Sequence, residues 1–443
     1  MNRFVLRVRD WYAFLTLRLK HLLDYRHTDT GLIISSTVLG ITVGIAIVVF
    51  HAAVSLSEQF FNRFFVVADV FSILRFLFFP LIAGIGGFAV GVLNSSVFKD
   101  VDDRGLETVT RALKHEGVLH HRTSLKAILN AALSIGSGGG AGREAPTIVL
   151  GASVGSSLGQ MLRLRPRQLK VLCGAGTAAA ISGIFNAPLG GVMFALETIL
   201  GGFNISTFIP LVISAVMATA TSRLFFGDNA ILVAPAVTAV QLQDYFFLAI
   251  AGMASGGIAL YYLRSYRWWF ERVQRLVHPA PVQVRPAIGG LFQGLLVAFL
   301  PTMLETTYQP INFAIRGEGL LAIAIVSVLI KPISVAFTLG SGGSGGTFAP
   351  AMKMGALFGF AFGYLLQLLI PSTSPGLYAL VCTAAVLAGT YRMPLAGGIL
   401  VFEISRNYEL ILPLMFASVF SAFVIQRSRI GTFNPTISHD EVS

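Results

Sequence analysis

The sequence predicts an all-α, polytopic membrane protein with two inverted-topology repeats of many short, tilted and broken helices. Composition is the first indication, because 54% of the 443 residues are hydrophobic and only 12% are charged, about half the charged share of a soluble domain. The mean hydropathy is +0.74. Long apolar runs are the second indication, and an internal repeat of Gly-rich motifs is the third. We expect one transmembrane domain of roughly a dozen or more helices.

Residues 1–30 form a basic segment that we expect to lie in the cytoplasm. The segment is rich in arginine, and no small-residue cleavage site follows it, so it does not resemble a signal peptide. The positive-inside rule places it on the same side as the basic loop 163–170 and as Arg427 and Arg429. Because the net charge of +11 lies in loops of a lipid-soluble chain, the expected partner is anionic lipid and not nucleic acid.

The apolar runs fall into two classes. Six are long enough, or nearly so, to cross a bilayer: residues 31–54, 71–92, 205–220, 246–263, 287–304 and 320–339. Eight are shorter and interrupted by Gly or Pro: 125–135, 146–161, 171–184, 188–200, 350–370, 378–389, 394–403 and 411–426. Short helices need protein around their ends, because bare backbone groups are not tolerated in lipid. We expect a membrane domain at 31–430, with halves of roughly 31–225 and 240–430, and a short tail at 431–443.

Two motifs repeat along the chain. Residues 136–146 (GSGGGAGREAP) match residues 340–350 (GSGGSGGTFAP) at an offset of 204, and a second pair of segments, containing Glu197 and Glu403, matches at an offset of 206. Two halves on one plan, each with a Gly-rich break in an apolar setting, are typical of transporters whose broken helices meet near the membrane midplane. The sequence therefore predicts an ion site between the halves.

The form of these motifs favours an anion. Pro146 and Pro350 fit the first turn of a helix, where a missing N–H costs nothing. A helix N-terminus carries about half a positive charge and several unpaired N–H groups, which bind an anion weakly enough to release it. The alternative is that the glycines only allow helices to pack closely. Two copies in register favour the ion site.

Glu144, inside the first motif, is the candidate gate. A carboxylate at a helix N-terminus competes with an anion for the same donors, and protonation releases it, so one side chain can serve as gate and proton carrier. The alternative is a structural ion pair with the neighbouring Arg143. The second motif has Phe348 at the equivalent position, so only one half carries a titratable group.

The motifs resemble those of the CLC chloride channels and chloride/proton exchangers. Residues 142–146 (GREAP) resemble the family's GREGP signature, and residues 346–350 (GTFAP) resemble GxFxP. Segments 185–197 and 407–413 extend the resemblance over nearly the whole chain. It implies a CLC-type fold, a homodimer with a pore in each subunit, no cofactor other than chloride and protons as cargo, and the bacterial inner membrane. It also implies a prokaryotic-type member without cytosolic CBS domains.

The resemblance further implies a set of site residues. Glu144 becomes the gate, and the anion site is formed by Gly142, Arg143, Glu144, Ala145, Thr347, Phe348, Ala349, Arg104, Gly105, Leu106 and Phe433. The amides of Thr347 and Phe348 would bind the anion. Two positions depart from the family pattern. Arg104 stands where the family has a coordinating Ser, and Phe433 or Asn434 stands where it has a Tyr hydroxyl. An Arg there could strengthen anion binding or attract anions at the pore mouth.

Thr198 bears on the mechanism, because it stands where exchangers carry an inner, proton-receiving glutamate. A hydroxyl can order water but cannot store a proton near neutral pH. The sequence therefore slightly favours passive, gated conduction of chloride or a similar small anion. Proton-coupled chloride exchange is the alternative. Transport of another anion, such as fluoride, nitrate or an organic anion, is a further one, which Arg104 keeps open.

The sequence does not favour an enzyme or a metal site. Membrane hydrolases need a nucleophile with a base, paired aspartates or a metal-binding His pair. Carboxylates in the apolar runs are scarce apart from Glu144, Glu197 and Glu403, and the equivalent placement of the last two indicates a structural role at helix ends. We expect Cys173 and Cys382 to be free, buried thiols.

Overall fold

The computed structural model describes residues 29–69, 74–101, 105–233, 240–301, 308–428 and 430–433. The basic segment before residue 29, Arg104, and the tail from Asn434 onward therefore lie outside the described residues. Sixteen α-helices fall within the described ranges: α1 (Asp29–Asp69), α2 (Arg75–Ser96), α3 (Leu106–His115), α4 (Thr123–Gly136), α5 (Glu144–Met161), α6 (Pro166–Phe185), α7 (Pro188–Phe194), α8 (Ile205–Phe226), α9 (Asp244–Val277), α10 (Arg285–Phe299), α11 (Gln309–Arg316), α12 (Leu321–Gly340), α13 (Phe348–Leu369), α14 (Pro375–Tyr391), α15 (Pro394–Ser405) and α16 (Ile411–Arg427). A π-helical turn, Ala195–Leu200, extends α7, and a 3₁₀ turn, Tyr408–Leu410, precedes α16.

The all-α membrane architecture expected from the sequence is confirmed. Within the described ranges, eight helices are long and apolar enough to cross a membrane. The longest, α1, has 41 residues, which corresponds to about 60 Å of helix against a hydrocarbon core of about 30 Å. It must therefore tilt or continue beyond the hydrocarbon region. The protein is a multi-pass membrane protein.

Some helices differ in length from the runs that predicted them. Runs 171–184 and 350–370 belong to α6 and α13, which have 20 and 22 residues and are long enough to span. In α6 the extra length comes from the polar first turn after Pro166, which hydropathy does not register. The polar segment 100–122 contains α3, whose Val109, Ala112 and Leu113 are buried. Their i, i+3, i+4 spacing makes this short helix amphipathic.

Four buried helices, α5, α6, α13 and α14, form the centre of the molecule. In α14 every residue from Gly376 to Tyr391 is buried, and most of α6 is buried as well. A helix that is apolar on all sides lies in a protein core or in lipid, and the burial of these helices places most of their length in the core. They hold the segments that precede α5 and α13 in fixed positions.

Glycine stripes allow the central helices to approach closely. A Cβ on Gly151 or Gly155 of α5 would lie 2.2 Å from a backbone oxygen of α6, and a Cβ on Gly355 or Gly359 of α13 would lie 2.5 or 2.1 Å from one of α14. The Gly-rich motifs and the helices that follow them therefore contain glycines of two kinds, some that form turns and some that allow helices to pack closely. Glycines after Ala-Pro pack helices, whereas those before it form the turns that lead into α5 and α13.

The two halves are joined by a reciprocal pair of carboxylates. Glu197 accepts hydrogen bonds from the N–H groups of Leu395 (3.3 Å) and Ala396 (2.6 Å) at the start of α15. Glu403 accepts from Leu189 (3.1 Å) and Gly190 (2.7 Å) at the start of α7. Each half caps a helix of the other, as expected for inverted repeats, and the helix-end role predicted for both glutamates is confirmed.

Candidate functional site

The two Gly-rich motifs meet at a single backbone bridge. The N–H of Gly142 donates to the carbonyl of Gly346 at 2.8 Å, and the N–H of Gly346 donates to the carbonyl of Gly142 at 2.7 Å. A Cβ on Gly346 would lie 2.7 Å from the Cβ of Ala145, so only glycine permits this approach. The bridge brings together the N-termini of α5 and α13, whose positive dipole ends then share one space. The predicted residues 142–145 and 347–349 therefore lie together.

Glu144 occupies that shared space. It is the first residue of α5 and is fully buried. The N–H of Ala349, in the first turn of α13, donates to its Oε2 at 3.3 Å, and the Tyr308 hydroxyl donates to its Oε1 at 2.7 Å. The carboxylate Oε2 lies over Gly142, where a Cβ would be only 2.3 Å away. Glu144 thus places a carboxylate where two helix N-termini attract an anion.

Arg143 points toward a different partner. Its Nη2 lies 3.0 Å from Oε1 of Glu58 on α1, in a largely buried ion pair. Both residues line a cavity of about 510 Å³, together with His51, Arg223 and Tyr308. We call this cavity the Arg143-side vestibule. Because Tyr308 lines this vestibule and also donates to Glu144, the vestibule ends close to the Glu144 carboxylate.

The segment that starts α13 is surrounded by aromatic side chains. The Phe348 ring is 1% exposed, and the rings of Phe185, Phe194 and Tyr391 lie 5.8, 5.8 and 5.4 Å from it. The Tyr391 hydroxyl is 2.6 Å from Oγ1 of Thr347. These contacts fix the Thr347–Phe348 peptide at the helix N-terminus and exclude lipid and bulk water from it.

Gly105 lies at a second cavity, close to the start of α5. This residue has φ +64°, in the region that favours glycine, and caps α3 at Leu106. A Cβ added to Gly105 would lie 3.7 Å from the Cβ of Ala145, so the start of α3 is close to the start of α5. Gly105, Lys126, Pro146 and Tyr266 line a cavity of about 660 Å³, the Gly105-side vestibule.

Phe433 lies between this vestibule and the start of α13. Its ring is 5.2 Å from Tyr262, 5.2 Å from Tyr266 and 5.7 Å from Tyr391, and its N–H donates to the Thr390 carbonyl at 3.0 Å. The structure therefore brings Gly105, Leu106 and Phe433 close to the starts of α5 and α13.

Thr198 stands apart from this cluster. It is fully buried in the π-helical turn, and its hydroxyl donates to the Met393 sulfur at 3.6 Å. Met393 precedes α15, and a sulfur atom is a weak acceptor. The hydroxyl can therefore exchange this partner for water at small cost.

Sequence reasoning did not identify Tyr308, Tyr391 or Glu58. Tyr308 and Glu58 lie 164 and 85 positions from the residues they contact, and nothing local marks them. The sequence does mark Tyr391, because this residue follows Phe185 by 206 positions, which is the offset of the second repeat. Both rings flank Phe348 and end a central helix, so extending the repeat alignment would have found this position.

The sequence also matches a family of known proteins. The family model described as "Voltage gated chloride channel" matches residues 86–426. The chain belongs to this family. Its match includes both Gly-rich motifs, Glu144 and the central helices α5, α6, α13 and α14.

Two similar members of the voltage gated chloride channel family illustrate its range. "Putative chloride channel protein ClcB-like" of Ralstonia nicotianae is 31% identical over 349 residues, covering 76% of this chain and 80% of the relative. "H(+)/Cl(-) exchange transporter ClcA" of Vibrio campbellii is 30% identical over 301 residues, covering 66% of this chain and 64% of the relative. The matched region thus spans slightly less than two thirds of the Vibrio protein.

Solved structures agree with the family's fold. "X-ray crystal structure of a slow cyanobacterial Cl-/H+ antiporter" aligns with a TM-score of 0.79 at 23% identity, over 93% of this chain and 97% of that one. "Crystal structure of a CLC-type fluoride/proton antiporter" aligns with a TM-score of 0.74 at 21% identity, over 89% and 95%. At these identities the likeness establishes the CLC-type fold alone.

Proposed function

We propose that this protein exchanges chloride for protons across a membrane, through the site between α5 and α13. The observation that carries the proposal is the Glu144 carboxylate, which accepts a hydrogen bond from the α13 N-terminus. An anion can use that donor only after the carboxylate leaves, and protonation removes the negative charge that holds it there. Anion passage and proton uptake then compete for one position.

Relatives support exchange more than the passive conduction that Thr198 favours. Several relatives at 29–31% identity are named H(+)/Cl(-) exchange transporters. Thr198 lacks a titratable group, so in this mechanism protons reach Glu144 along water that the Thr198 hydroxyl helps to order. Passive conduction remains the second candidate, supported by Thr198 and by the ClcB-like relative.

The setting follows from the same proposal. We place the protein as a homodimer with one pore in each subunit, in a bacterial inner membrane, with its N-terminus in the cytoplasm and anionic lipid around its basic loops. Chloride and protons are the cargo, and transport requires no cofactor and no covalent chemistry. On this orientation the Arg143-side vestibule opens outward and the Gly105-side vestibule opens inward.

The test uses purified protein in lipid vesicles. A chloride gradient is imposed while the external pH and the membrane potential are recorded. Exchange predicts proton movement coupled to chloride flux, which continues uphill when the potential is clamped. Chloride flux that brings the potential to the chloride equilibrium value, without a pH change, would instead establish a channel. Absence of chloride flux would reject both, and fluoride and nitrate would then be tested.

Thr198→Glu is a useful companion variant in the same vesicles, because it adds a titratable carboxylate at the inner position. If protons travel past Thr198, coupled proton flux is expected to increase in the variant. Glu409→Gln, at an exposed turn, provides a control for handling and reconstitution.

A further inference from the structure

Thr347 is contacted by two tyrosines at the N-cap of α13. The Tyr391 hydroxyl lies 2.6 Å from its Oγ1, and either hydroxyl can be the donor. The Tyr262 hydroxyl donates to its carbonyl at 3.2 Å. Tyr391 is only 4% exposed, and its ring lies 5.4 Å from the ring of Phe348, which precedes the Ala349 N–H that donates to Glu144. A polar hydroxyl thus lies beside the N-terminus that the Glu144 carboxylate already occupies.

The backbone holds Tyr391 in this position. It is the last residue of α14, and Arg392 then turns the chain with φ +50°, so that Met393 leads directly into Pro394 of α15. Because α14 is buried along its whole length, the Tyr391 ring cannot move far without disturbing the core. The equivalent ring of the other half, Phe185, also contacts Phe348 but has no hydroxyl. The hydroxyl is therefore not needed to pack against Phe348.

The Tyr391 hydroxyl also lies on the inner side of the site. Phe433 contacts Tyr391 at 5.7 Å and Tyr266 at 5.2 Å, and Tyr266 lines the Gly105-side vestibule. An ion crossing from that vestibule to the N-terminus of α13 meets this aromatic group. The Phe433 side chain offers no hydrogen-bond donor, whereas the Tyr391 side chain offers one.

Building on the proposed anion transport, we infer that Tyr391 supplies the inner hydroxyl ligand of the transported halide. When Glu144 leaves the Ala349 N–H, the Tyr391 O–H rotates from Thr347 to the anion, and the ring stays in place. Between transport events the Tyr391–Thr347 hydrogen bond satisfies both hydroxyls and closes the inner side. A neutral O–H binds a halide without a full positive charge, so the ion can leave again. This role falls to α14 and not to the segment that carries Phe433.

Chloride binding to the full-length protein, measured by titration calorimetry, tests the inference. Tyr391→Phe removes the hydroxyl and keeps the ring, and we expect chloride affinity to fall by about tenfold. Thr347→Val removes the other hydroxyl but keeps the backbone amide, and a ligand at Tyr391 predicts a smaller loss of affinity here than in Tyr391→Phe. Tyr378→Phe makes the same chemical change on the same buried helix, about 20 Å away, and serves as the matched control.

The outcomes separate a ligand from a structural contact. If Tyr391 only positions Thr347, both variants lose the same affinity and the double variant loses no more, which would overturn the inference, as would unchanged affinity in Tyr391→Phe. If Tyr391→Phe does not fold, a fluorotyrosine incorporated at position 391 keeps the ring and the hydroxyl but makes the O–H a stronger donor, and chloride affinity that stays unchanged in that variant would overturn the inference. Failure of the proposed function is distinct, because the unaltered protein would then neither bind chloride nor move it.

Discussion

At the scale of single residues, the two hydrogen bonds of Glu144 come from different parts of the molecule. Tyr308 belongs to the wall of the Arg143-side vestibule, whereas Ala349 belongs to the helix of the other half that attracts the anion. The carboxylate must break both bonds before an anion can occupy its place. Each bond can be removed separately, and the two changes have different expected effects.

Replacing Glu144 by Gln is expected to make chloride flux nearly independent of pH. The amide resembles the protonated side chain, so it neither carries the charge that holds the gate at α13 nor takes up a proton. We expect the ratio of flux at about pH 5 to flux at about pH 8 to approach one, and coupled proton movement to be lost. Initial chloride efflux from vesicles, recorded at both pH values, checks this. A pH dependence equal to that of the unaltered protein would remove Glu144 from the gate.

Replacing Tyr308 by Phe is expected to speed chloride flux by about tenfold or more. A hydrogen bond to a charged group stabilises its state by about 1.5–3 kcal/mol, and here that state is the closed position of Glu144. The ring remains, so packing against Phe185 is kept. Efflux measured beside Tyr408→Phe, a change at an exposed residue, provides the comparison. Equal or slower flux in Tyr308→Phe would show that the hydroxyl does not hold the gate closed.

At the scale of helices, Glu197 and Glu403 each cap a helix of the opposite half. Each satisfies two N–H groups at the first turn of a helix in the opposite half. Without a carboxylate, those N–H groups are left without an acceptor in a setting with little water. The starts of α7 and α15 therefore depend on side chains more than 190 positions away, since the hydrogen bonds span 198 and 213 positions.

Replacing Glu403 or Glu197 by Ala is expected to destabilise the protein by about 1–2 kcal/mol each. This corresponds to a drop of about 1–2 °C in the thermal unfolding midpoint. Glu→Gln at the same positions keeps one acceptor oxygen and is expected to cost less. Thermal unfolding in detergent, with Glu271→Ala in an exposed helical ion pair as control, measures the difference. A midpoint as high as that of the control variant would show that water satisfies these helix ends.

Helix ends also show what the sequence can and cannot predict. Gly, Ala and Pro in the repeated motifs act through local backbone geometry, so the turns before α5 and α13 and the position of Glu144 could be predicted. The contacts of Tyr308 and Glu58 could not, because they depend on how distant segments pack. Length was misjudged where polar first turns extend an apolar helix, as in α6, since hydropathy registers only the part that favours lipid.

At the scale of the whole molecule, Asp228 links the ends of three helices. It accepts hydrogen bonds from Asn186 at 2.9 Å and from Arg406, and Arg223 lies 3.2 Å from it. Asn186 follows α6, Arg223 ends α8 and Arg406 follows α15. The cluster therefore fastens helices of both halves at the surface that the Arg143-side vestibule opens onto, which Asn186 and Arg223 also line.

The Asp228 cluster is expected to stabilise the protein only above acidic pH. Hydrogen bonds from Asn186 and Arg406 lower the pKa of Asp228 below its ordinary value of 3.8. A lowered pKa in the folded state means that the stabilisation is complete above the ordinary value and is lost as pH falls through the lowered one. Unfolding midpoints of the unaltered protein and of Asp228→Asn should therefore differ near neutral pH and converge in acid. A difference that persists in strong acid would mean that the charge of Asp228 is not responsible.

The reciprocal capping by Glu197 and Glu403 has a consequence for the origin of the chain. Each half has a carboxylate and a helix whose first N–H groups have no acceptor within that half. The carboxylate of each half accepts hydrogen bonds from the helix start of the other. A surface that complements itself under a two-fold rotation is what a pair of identical subunits requires. One half of this chain thus carries the requirements for binding its own copy. A single ancestral half could have assembled in antiparallel pairs before gene duplication and fusion joined the two copies. After fusion the residues on the two sides of the Gly142–Gly346 bridge could differ, as Glu144 and Phe348 now do.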